Sequence, residues 1–139
     1  MAANFEPVAV ALLGVVDTLD TVQHTTRYKL GLEQLPDVPT CVVAMSGASV
    51  QSQHGLPSRW TGRYEVGYIA HSHHDRLGSP ETFINAWLVE FQGAMASNVT
   101  LGGTCEHAWI AGEVEVIPPT LDMPIMECWV SVEVLVLAT

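Results

Sequence analysis

The residue types best suited to chemistry occur in one short run, His71-Ser72-His73-His74-Asp75. On an extended strand His71 and His73 share a face, and imidazole is a common ligand of zinc, copper and nickel. Nothing in this spacing requires a metal, because a site needs further ligands and short histidine-rich tracts are weak compositional indicators. We therefore favour a polar strand end. A small metal-dependent enzyme that uses His71, His73 and His74 is kept as an alternative.

Further ligands for such a site are available elsewhere in the sequence. Cys105 and His107 have Cys-x-His spacing on a predicted neighbouring strand, and His54 is another candidate. The alternative role for Cys105 is that of a small buried hydrophobic residue. We favour that role, and we predict no bound metal and no cofactor.

Catalytic motifs of other kinds lack their usual surroundings. Ser46 and Ser79 are not part of a Gly-x-Ser-x-Gly elbow, and no cysteine-protease signature surrounds Cys105. Glu113 and Glu115 share a strand face, which is more typical of a solvated edge or an interface rim than of a glycosidase acid pair. The sequence contains no glycine-rich phosphate loop. We predict a protein that is not an enzyme and has no catalytic residues.

Two helices and up to five strands must position these side chains. Proline near the start and apolar residues at spacings of three and four predict helices over 4–20 and 80–96, with Asn4 and Ser79 as caps. Alternation and β-favouring composition predict extended segments over 23–29, 40–45, 59–71, 105–117 and 125–138. Turn chemistry at Ser46-Gly47 and over 51–58 predicts a loop between two of these strands.

The elements combine into one α+β domain over residues 1–139. The even-numbered residues from Met126 to Val136 are all apolar, so one face of the sheet is expected to pack on helices. Trp87 belongs to the matching apolar stripe of the second helix. We predict a mostly antiparallel or mixed sheet with two main helices on one face, in the order α-β-β-β-α-β-β. Gly62 and Gly67 predict a bulge or a close backbone approach.

Composition limits the class of protein further. The 139 residues suffice for one core, and 48% hydrophobic with only 14% charged residues favours a subunit whose partners cover part of its surface. A net charge of −10 argues against stable nucleic-acid binding. Three cysteines without paired spacing predict buried, reduced thiols. The apolar run over 8–16 is too short to span a bilayer, so we expect a product made in the cytoplasm without a signal peptide.

Charge is divided unevenly along the chain. Residues 77–139 contain no lysine or arginine and eight acidic residues, whereas all five basic residues lie earlier. Head-to-tail association of copies would set a mixed-charge patch against an acidic one. The alternative is chance in an acidic protein, and charge alone does not separate the two.

In its element order the chain resembles the tail terminator family of long-tailed bacteriophages, whose members are also called minor tail or tail completion proteins. The resemblance rests on the short first helix, the strand through Trp60 and Tyr68, the helix over 80–96, the turn Leu101-Gly102-Gly103, and the strand Ala-Trp-Ile-Ala-Gly-Glu-Val-Glu-Val. A final strand of alternating valines completes the pattern, which covers about residues 5–138.

Members of that family form hexameric rings that cap the tail tube, stop tube polymerisation and present a surface to the connector of the filled head. The resemblance implies a structural virion protein at the head-proximal end of the tail, made in the cytoplasm of the host bacterium. The implied partners are further copies of itself, the tail tube protein and the head-tail connector or neck protein. DNA would only pass through the lumen, because six copies at −10 each carry −60 and repel phosphate. Another neck or head-completion joining protein is the alternative.

Two contact regions follow from this interpretation. The expected subunit interface contains Arg27, Lys29, Arg59, Arg63, Glu113, Glu115, Glu127, Trp129 and Glu133. The expected tail-tube contact loop contains Gln51, Gln53, His54 and Leu56. A plain strand connection is the alternative for the loop, and a partly covered surface tryptophan is the alternative for Trp129.

Overall fold

The chain is an α+β protein in which two helices and five strands follow the predicted order among the residues that can be described. The computed structural model describes residues 3–28, 38–52, 58–71, 80–122 and 124–138. The elements are α1 (Glu6–Asp17), β1 (His24–Thr26), β2 (Thr40–Gln51), β3 (Ser58–His71), α2 (Pro80–Ser97), β4 (His107–Ile117) and β5 (Ile125–Ala138).

The five strands form one mixed sheet in the order β1-β2-β3-β5-β4. The short strand β1 is parallel to β2 and pairs with it only at Thr40 to Val42. The other three pairings, β2 with β3, β3 with β5 and β5 with β4, are antiparallel. The long strand β3 therefore lies at the centre, and β4 forms one outer edge.

Strand β2 is longer than the sequence indicated. It continues past Met45 to Gln51, where the turn chemistry of Ser46-Gly47 had predicted a loop. A register shift between Met45 and Gly47 absorbs the irregularity, after which Gly47 to Gln51 pair regularly with β3. Cross-strand pairing therefore overrides the local turn preference. Gln51, predicted to lie in a tube-contact loop, is instead an exposed strand residue opposite Arg59.

The larger of two core clusters joins α1 and α2 to residues of one parity on the central strands, and a smaller one contains Val42, Ile69 and Ile125. On β5 the apolar residues Met126, Cys128, Val130, Val132 and Val134 are all buried, as predicted. On α2 the indole of Trp87 is fully buried and stacks between Tyr68, with ring centroids 5.4 Å apart, and Phe91, at 5.1 Å. The predicted core position of Trp87 is confirmed.

Two tyrosines of β3 hold the ends of the first helical segment. The hydroxyl of Tyr64 donates to the carbonyl oxygen of Phe5 at 3.1 Å, and that of Tyr68 donates to the carbonyl oxygen of Thr21 at 3.2 Å. Phe5, not Asn4, is the N-cap residue, although Asn4 Oδ1 accepts a bond from the Glu6 amide at 3.1 Å. Burial raises the pKa of each tyrosine to about 12.

The turn after α1 is fastened to α2 by Glu90. Its carboxylate accepts hydrogen bonds from the backbone amides of Asp20 and Thr21, each at 3.1 Å, and from the Thr21 hydroxyl at 2.5 Å. Because a turn leaves backbone amides without regular partners, this carboxylate satisfies groups that would otherwise lack a bond. Glu90 therefore links two elements that are far apart in the sequence.

Candidate functional site

A groove of about 860 Å³ opens on the face of the sheet opposite the core cluster. It is bounded by β3, β5 and β4, and its lining residues are Arg63, Glu65, Glu113, Val114, Glu115, Ile117, Trp129 and Ser131. Four of these, Arg63, Glu113, Glu115 and Trp129, are among the predicted interface residues. Residues that are 66 positions apart in the sequence thus meet on one surface.

The groove exists because β4 departs from regular pairing at its middle. Ala111 lies opposite Ser131 and Glu115 lies opposite Trp129, so four steps along β4 correspond to two along β5. Gly112 has a φ of 75°, which side chains with a Cβ rarely adopt. The extra residues displace Glu113 and Val114 from the ladder and open the surface. A glycine inside a strand pattern was the available signal for this irregularity, and the sequence reasoning did not use it at Gly112.

Arg63 is the centre of a hydrogen-bonded network at the groove wall. Its Nε donates to Glu65 Oε1 at 3.1 Å and its Nη2 donates to Ser131 Oγ at 2.9 Å. The Ser131 hydroxyl donates in turn to Glu65 Oε2 at 2.8 Å. Glu133 lies at 4.0 Å from Nη1, at the limit of an ion pair. Glu65 and Ser131 were not predicted as site residues, although Glu65 shares a strand face with Arg63 two residues away.

Trp129 is half-buried and is fixed by neighbours within the chain. Its indole N–H donates to Glu127 Oε1 at 2.9 Å. The ring covers Gly67 so closely that a Cβ placed there would lie 2.6 Å from the indole carbons. The predicted close approach at Gly67 is therefore confirmed. A half-buried aromatic side chain held in one orientation is well suited to serve as an anchor for a partner.

The surface around the groove is strongly acidic. Five carboxylates, those of Glu65, Glu113, Glu115, Glu127 and Glu133, lie on or beside it with Arg63 as the cation of the lining. Glu127 is only 6% exposed and its Oε1 accepts the hydrogen bond from the Trp129 indole N–H, whereas Glu113 and Glu115 are exposed at the sheet edge. Such a surface attracts cationic groups of a partner and repels phosphate.

The other predicted interface cations lie away from this groove. Arg27 forms an ion pair with Glu6 near the start of α1. The hydrogen bond to Arg27 lowers the pKa of Glu6, and the same bond raises the pKa of Arg27. Arg59 is exposed near the start of β3, where its cross-strand neighbours are Gln51 on β2 and Leu137 on β5. It makes no ion pair with any described residue. Lys29 lies outside the described residues, as do the tube-contact residues Gln53, His54 and Leu56.

The division of charge along the sequence is not a division in space. Arg63 belongs to the half of the chain that contains all basic residues, and Glu133 belongs to the acidic half, yet the two lie together on neighbouring strands. The antiparallel pairing of β3 with β5 is the cause. Arg63 therefore has carboxylate partners within its own chain.

The predicted metal candidates are separated by the fold. His71 lies opposite Ile125 and His107 lies opposite Leu135, ten residues further along the same strand β5. Ten residues of strand span roughly 33 Å, so Cys105 and His107 cannot complete a site at His71. The exposed ring of His107 stacks instead on Trp109, with centroids 5.5 Å apart. The described residues contain no group of three or more metal-binding side chains, and His73 and His74 lie outside them.

The three thiols have the buried environment that their sequence context predicted. Cys41, Cys105 and Cys128 are free and buried. Desolvation raises the pKa of all three, to about 11 for Cys128. Because the thiolate is the reactive form, none of them has the environment of a nucleophile.

Comparisons with protein families and curated proteins do not identify a family for this chain. The chain matches no protein-family model, and no curated protein is significantly similar to it in sequence. In the parts of the chain that the structure describes, neither helix has both the length and the apolar character needed to cross a membrane.

Proposed function

We propose that this protein is a structural virion protein of a long-tailed bacteriophage, which forms a homohexameric ring on the tail tube. The ring ends tube polymerisation and provides the surface for head-tail joining. In this proposal the subunit is a mostly antiparallel sheet with both helices on one face, and the opposite face and the sheet edges are left for contacts. Its partners are further copies of the chain, the tail tube protein and the connector or neck protein.

The observation that carries the proposal is the convergence of predicted contact residues on one helix-free surface. Arg63, Glu113, Glu115 and Trp129 come from three strands and line one groove. The charges at the wall are bonded to each other, as in the Arg63, Glu65 and Ser131 network, which suits a rigid surface for protein contact.

The negative net charge of the subunit supports a ring lumen through which DNA passes without binding. Each subunit has a net charge of −10, and its groove concentrates carboxylates. A ring lined by like charges repels the phosphate backbone, so the genome would slide through the lumen instead of adhering to it.

The test is a deletion of this product in the phage that encodes it, followed by electron microscopy of the particles. The proposal expects tails of uncontrolled length and filled heads that are not joined to them. Uniform tails joined normally to heads would refute it. Tails of uniform length with unjoined heads would instead indicate a neck or head-completion subunit.

A further inference from the structure

The open face of the sheet, which lies opposite the larger core cluster, carries opposite charges at its two ends. The groove lies at one end, where Trp129 and Glu115 are level with Gly67 on β3, and its lining contains three carboxylates and one guanidinium. Arg59 lies on β3 eight residues before Gly67, beside Leu137 of β5. It is exposed and forms no ion pair with a described residue. The groove end is therefore acidic, and the Arg59 end is basic.

The open face also carries large apolar side chains that the fold leaves accessible. Leu137 is 42% exposed. Leu135 and Trp109 point to the same face from neighbouring strands and are half-buried. Both helices pack on the other face, in the larger core cluster. Accessible leucine and tryptophan side chains on one sheet face are typical of a surface that a protein partner covers.

We propose that two copies of this chain stack their open faces against each other around a two-fold axis that crosses the strands at the level of Arg63. On β3, Arg63 lies four residues from Arg59 and four residues from Gly67. Rotation about this axis therefore exchanges the levels of Arg59 and Gly67 between the copies. Arg59 of each copy then faces the Trp129 indole of the other, because that ring covers Gly67.

The spacing of stacked sheets allows this contact. Sheets that pack face to face lie roughly 10 Å apart. The Trp129 ring lies close on Gly67 and fills the part of this gap next to its own sheet, so an arginine from the opposite sheet reaches the outer surface of the ring. Glu115 is exposed on the same face, as the cross-strand neighbour of Trp129. One guanidinium thus meets an aromatic ring and a carboxylate.

Charge selects this axis over the other way of stacking the two faces. A two-fold axis along the strands would set groove against groove and Arg59 against Arg59, where like charges repel. The axis across the strands sets each acidic end against a basic end. At the axis itself Arg63 and Glu133 lie level on neighbouring strands, so their charges balance there. Trp109 is level with Glu133 and faces Trp109 of the second copy, which adds an aromatic contact.

The contact is isologous, because the same surface of each copy is used twice. Such a pair is closed and does not by itself build a ring, so this inference goes beyond the proposed function. The pair covers the groove. It is therefore the form of the free protein, and it has to open before the groove can meet another partner.

The first test is sedimentation velocity of the purified protein over a concentration series. The expected result is an equilibrium between one 15.0 kDa chain and a species of two chains. Arg59→Glu and Glu115→Arg should each raise the dissociation constant of the pair roughly tenfold, because every pair contains the altered contact twice. Glu81→Arg, at an exposed position of α2, is the matched control with the same change of charge as Glu115→Arg and should leave the constant unchanged. Thermal unfolding checks that each variant is folded.

Mixing the two variants tests whether the contact runs between chains. An equimolar mixture of Arg59→Glu and Glu115→Arg should pair as well as the unchanged protein, because each copy supplies the charge that the other lacks. Weak association that persists in the mixture would overturn the proposal. A chain that stays monomeric at every concentration would overturn it too, as would assembly into larger species without a pair.

The orientation of the two copies is tested by a distance between spin labels. Gln51 is exposed and level with Arg59. A label on Gln51→Cys should lie roughly 25–30 Å from its counterpart, because the axis separates the two positions by eight residues of strand. A much shorter distance would show that like ends meet and would overturn the proposed axis. The outcome of the phage deletion does not bear on these measurements, so the pair and the proposed function fail separately.

Discussion

The indole of Trp129 lies directly over the backbone of Gly67, its cross-strand neighbour on the face opposite the larger core cluster. A Cβ at position 67 would lie 2.6 Å from the ring, which is closer than nonbonded carbon atoms can approach. The glycine is required here for space, and it lets the tryptophan lie flat on the sheet with its N–H directed to Glu127.

Gly67→Ala is therefore expected to destabilise the protein by about 1–3 kcal/mol, because it overpacks this contact. Chemical denaturation measures the change in the free energy of unfolding. Gly47→Ala is the matched control, since nothing lies within 4 Å of a Cβ at that strand position. In a Trp129→Ala background the cost of Gly67→Ala should disappear, and an unchanged cost there would show that the ring is not its cause.

Removal of the Glu90 carboxylate should loosen the turn after α1. Glu90→Ala is expected to lower the free energy of unfolding by about 1–3 kcal/mol, because the amides of Asp20 and Thr21 lose their acceptor. Gln92→Ala, exposed on the same helix, should change it by less than about 0.5 kcal/mol. Hydrogen exchange should show faster exchange at the two amides in Glu90→Ala, and protection equal to that of the unchanged protein would contradict this role.

Stability should fall in alkaline solution. The folded chain keeps Tyr64 and Tyr68 protonated because burial raises the pKa of each to about 12, whereas tyrosine in an unfolded chain ionises near 10. Their contribution is therefore fully present below about pH 10 and is lost as the pH rises to about 12. The raised pKa values of Cys41 and Cys128 act in the same direction from about pH 9.

Denaturant titrations between about pH 8 and pH 12 would measure this decline. Tyr68→Phe should reduce its slope, although the variant also loses the hydrogen bond to Thr21 and starts from lower stability. A free energy of unfolding that does not change over this range would contradict the burial of these phenols.

The three cysteines should be protected from thiol reagents in the folded protein. Each is buried, and desolvation raises the pKa of each above the ordinary value, so little thiolate is exposed at neutral pH. A colorimetric disulfide reagent should react at the rate at which the chain opens, and at once in denaturant. Rapid reaction of even one thiol without denaturant would show that its site is open.

Substitution of Arg63 should change the stability of the fold, whereas substitution of Arg59 should change self-association. Arg63→Gln is expected to lower the free energy of unfolding by up to about 1 kcal/mol, because its partners Glu65 and Glu133 lie in the same chain and the group is half-exposed. Arg59→Gln should leave stability unchanged and reduce association instead. Denaturation and sedimentation of both variants check this, and identical effects from the two arginines would refute the distinction.

Local patterns in the sequence predicted the elements well where one face of a segment is uniformly apolar. The even-numbered residues of β5 and the stripe around Trp87 were recognisable because burial imposes a period on the side chains. The same reasoning failed at Ser46-Gly47, where turn-forming residues continue a strand because β3 supplies a partner. Pairing between distant segments is not visible in a local window.

The groove was predictable only in part. Glu113, Glu115 and Trp129 stood out as polar or aromatic residues on strand faces, but their meeting with Arg63 depends on the strand order β3-β5-β4, which periodicity does not reveal. For the same reason the candidate ligands His71 and His107 were placed too close together, since the sequence did not show that they pair with opposite ends of β5.

The hydroxyls of Tyr64 and Tyr68 donate to the carbonyl oxygens of Phe5 and Thr21, so the spacing of the two tyrosines on the central strand fixes where the two ends of the N-terminal segment lie. Tyr64 and Tyr68 are four residues apart, roughly 13 Å along a strand, and share a face because that number is even. Inserting or deleting one residue between them would turn one phenol to the opposite side and release that end of the segment. Related sequences should therefore tolerate length changes between these positions only in steps of two, or as a bulge that restores the phase.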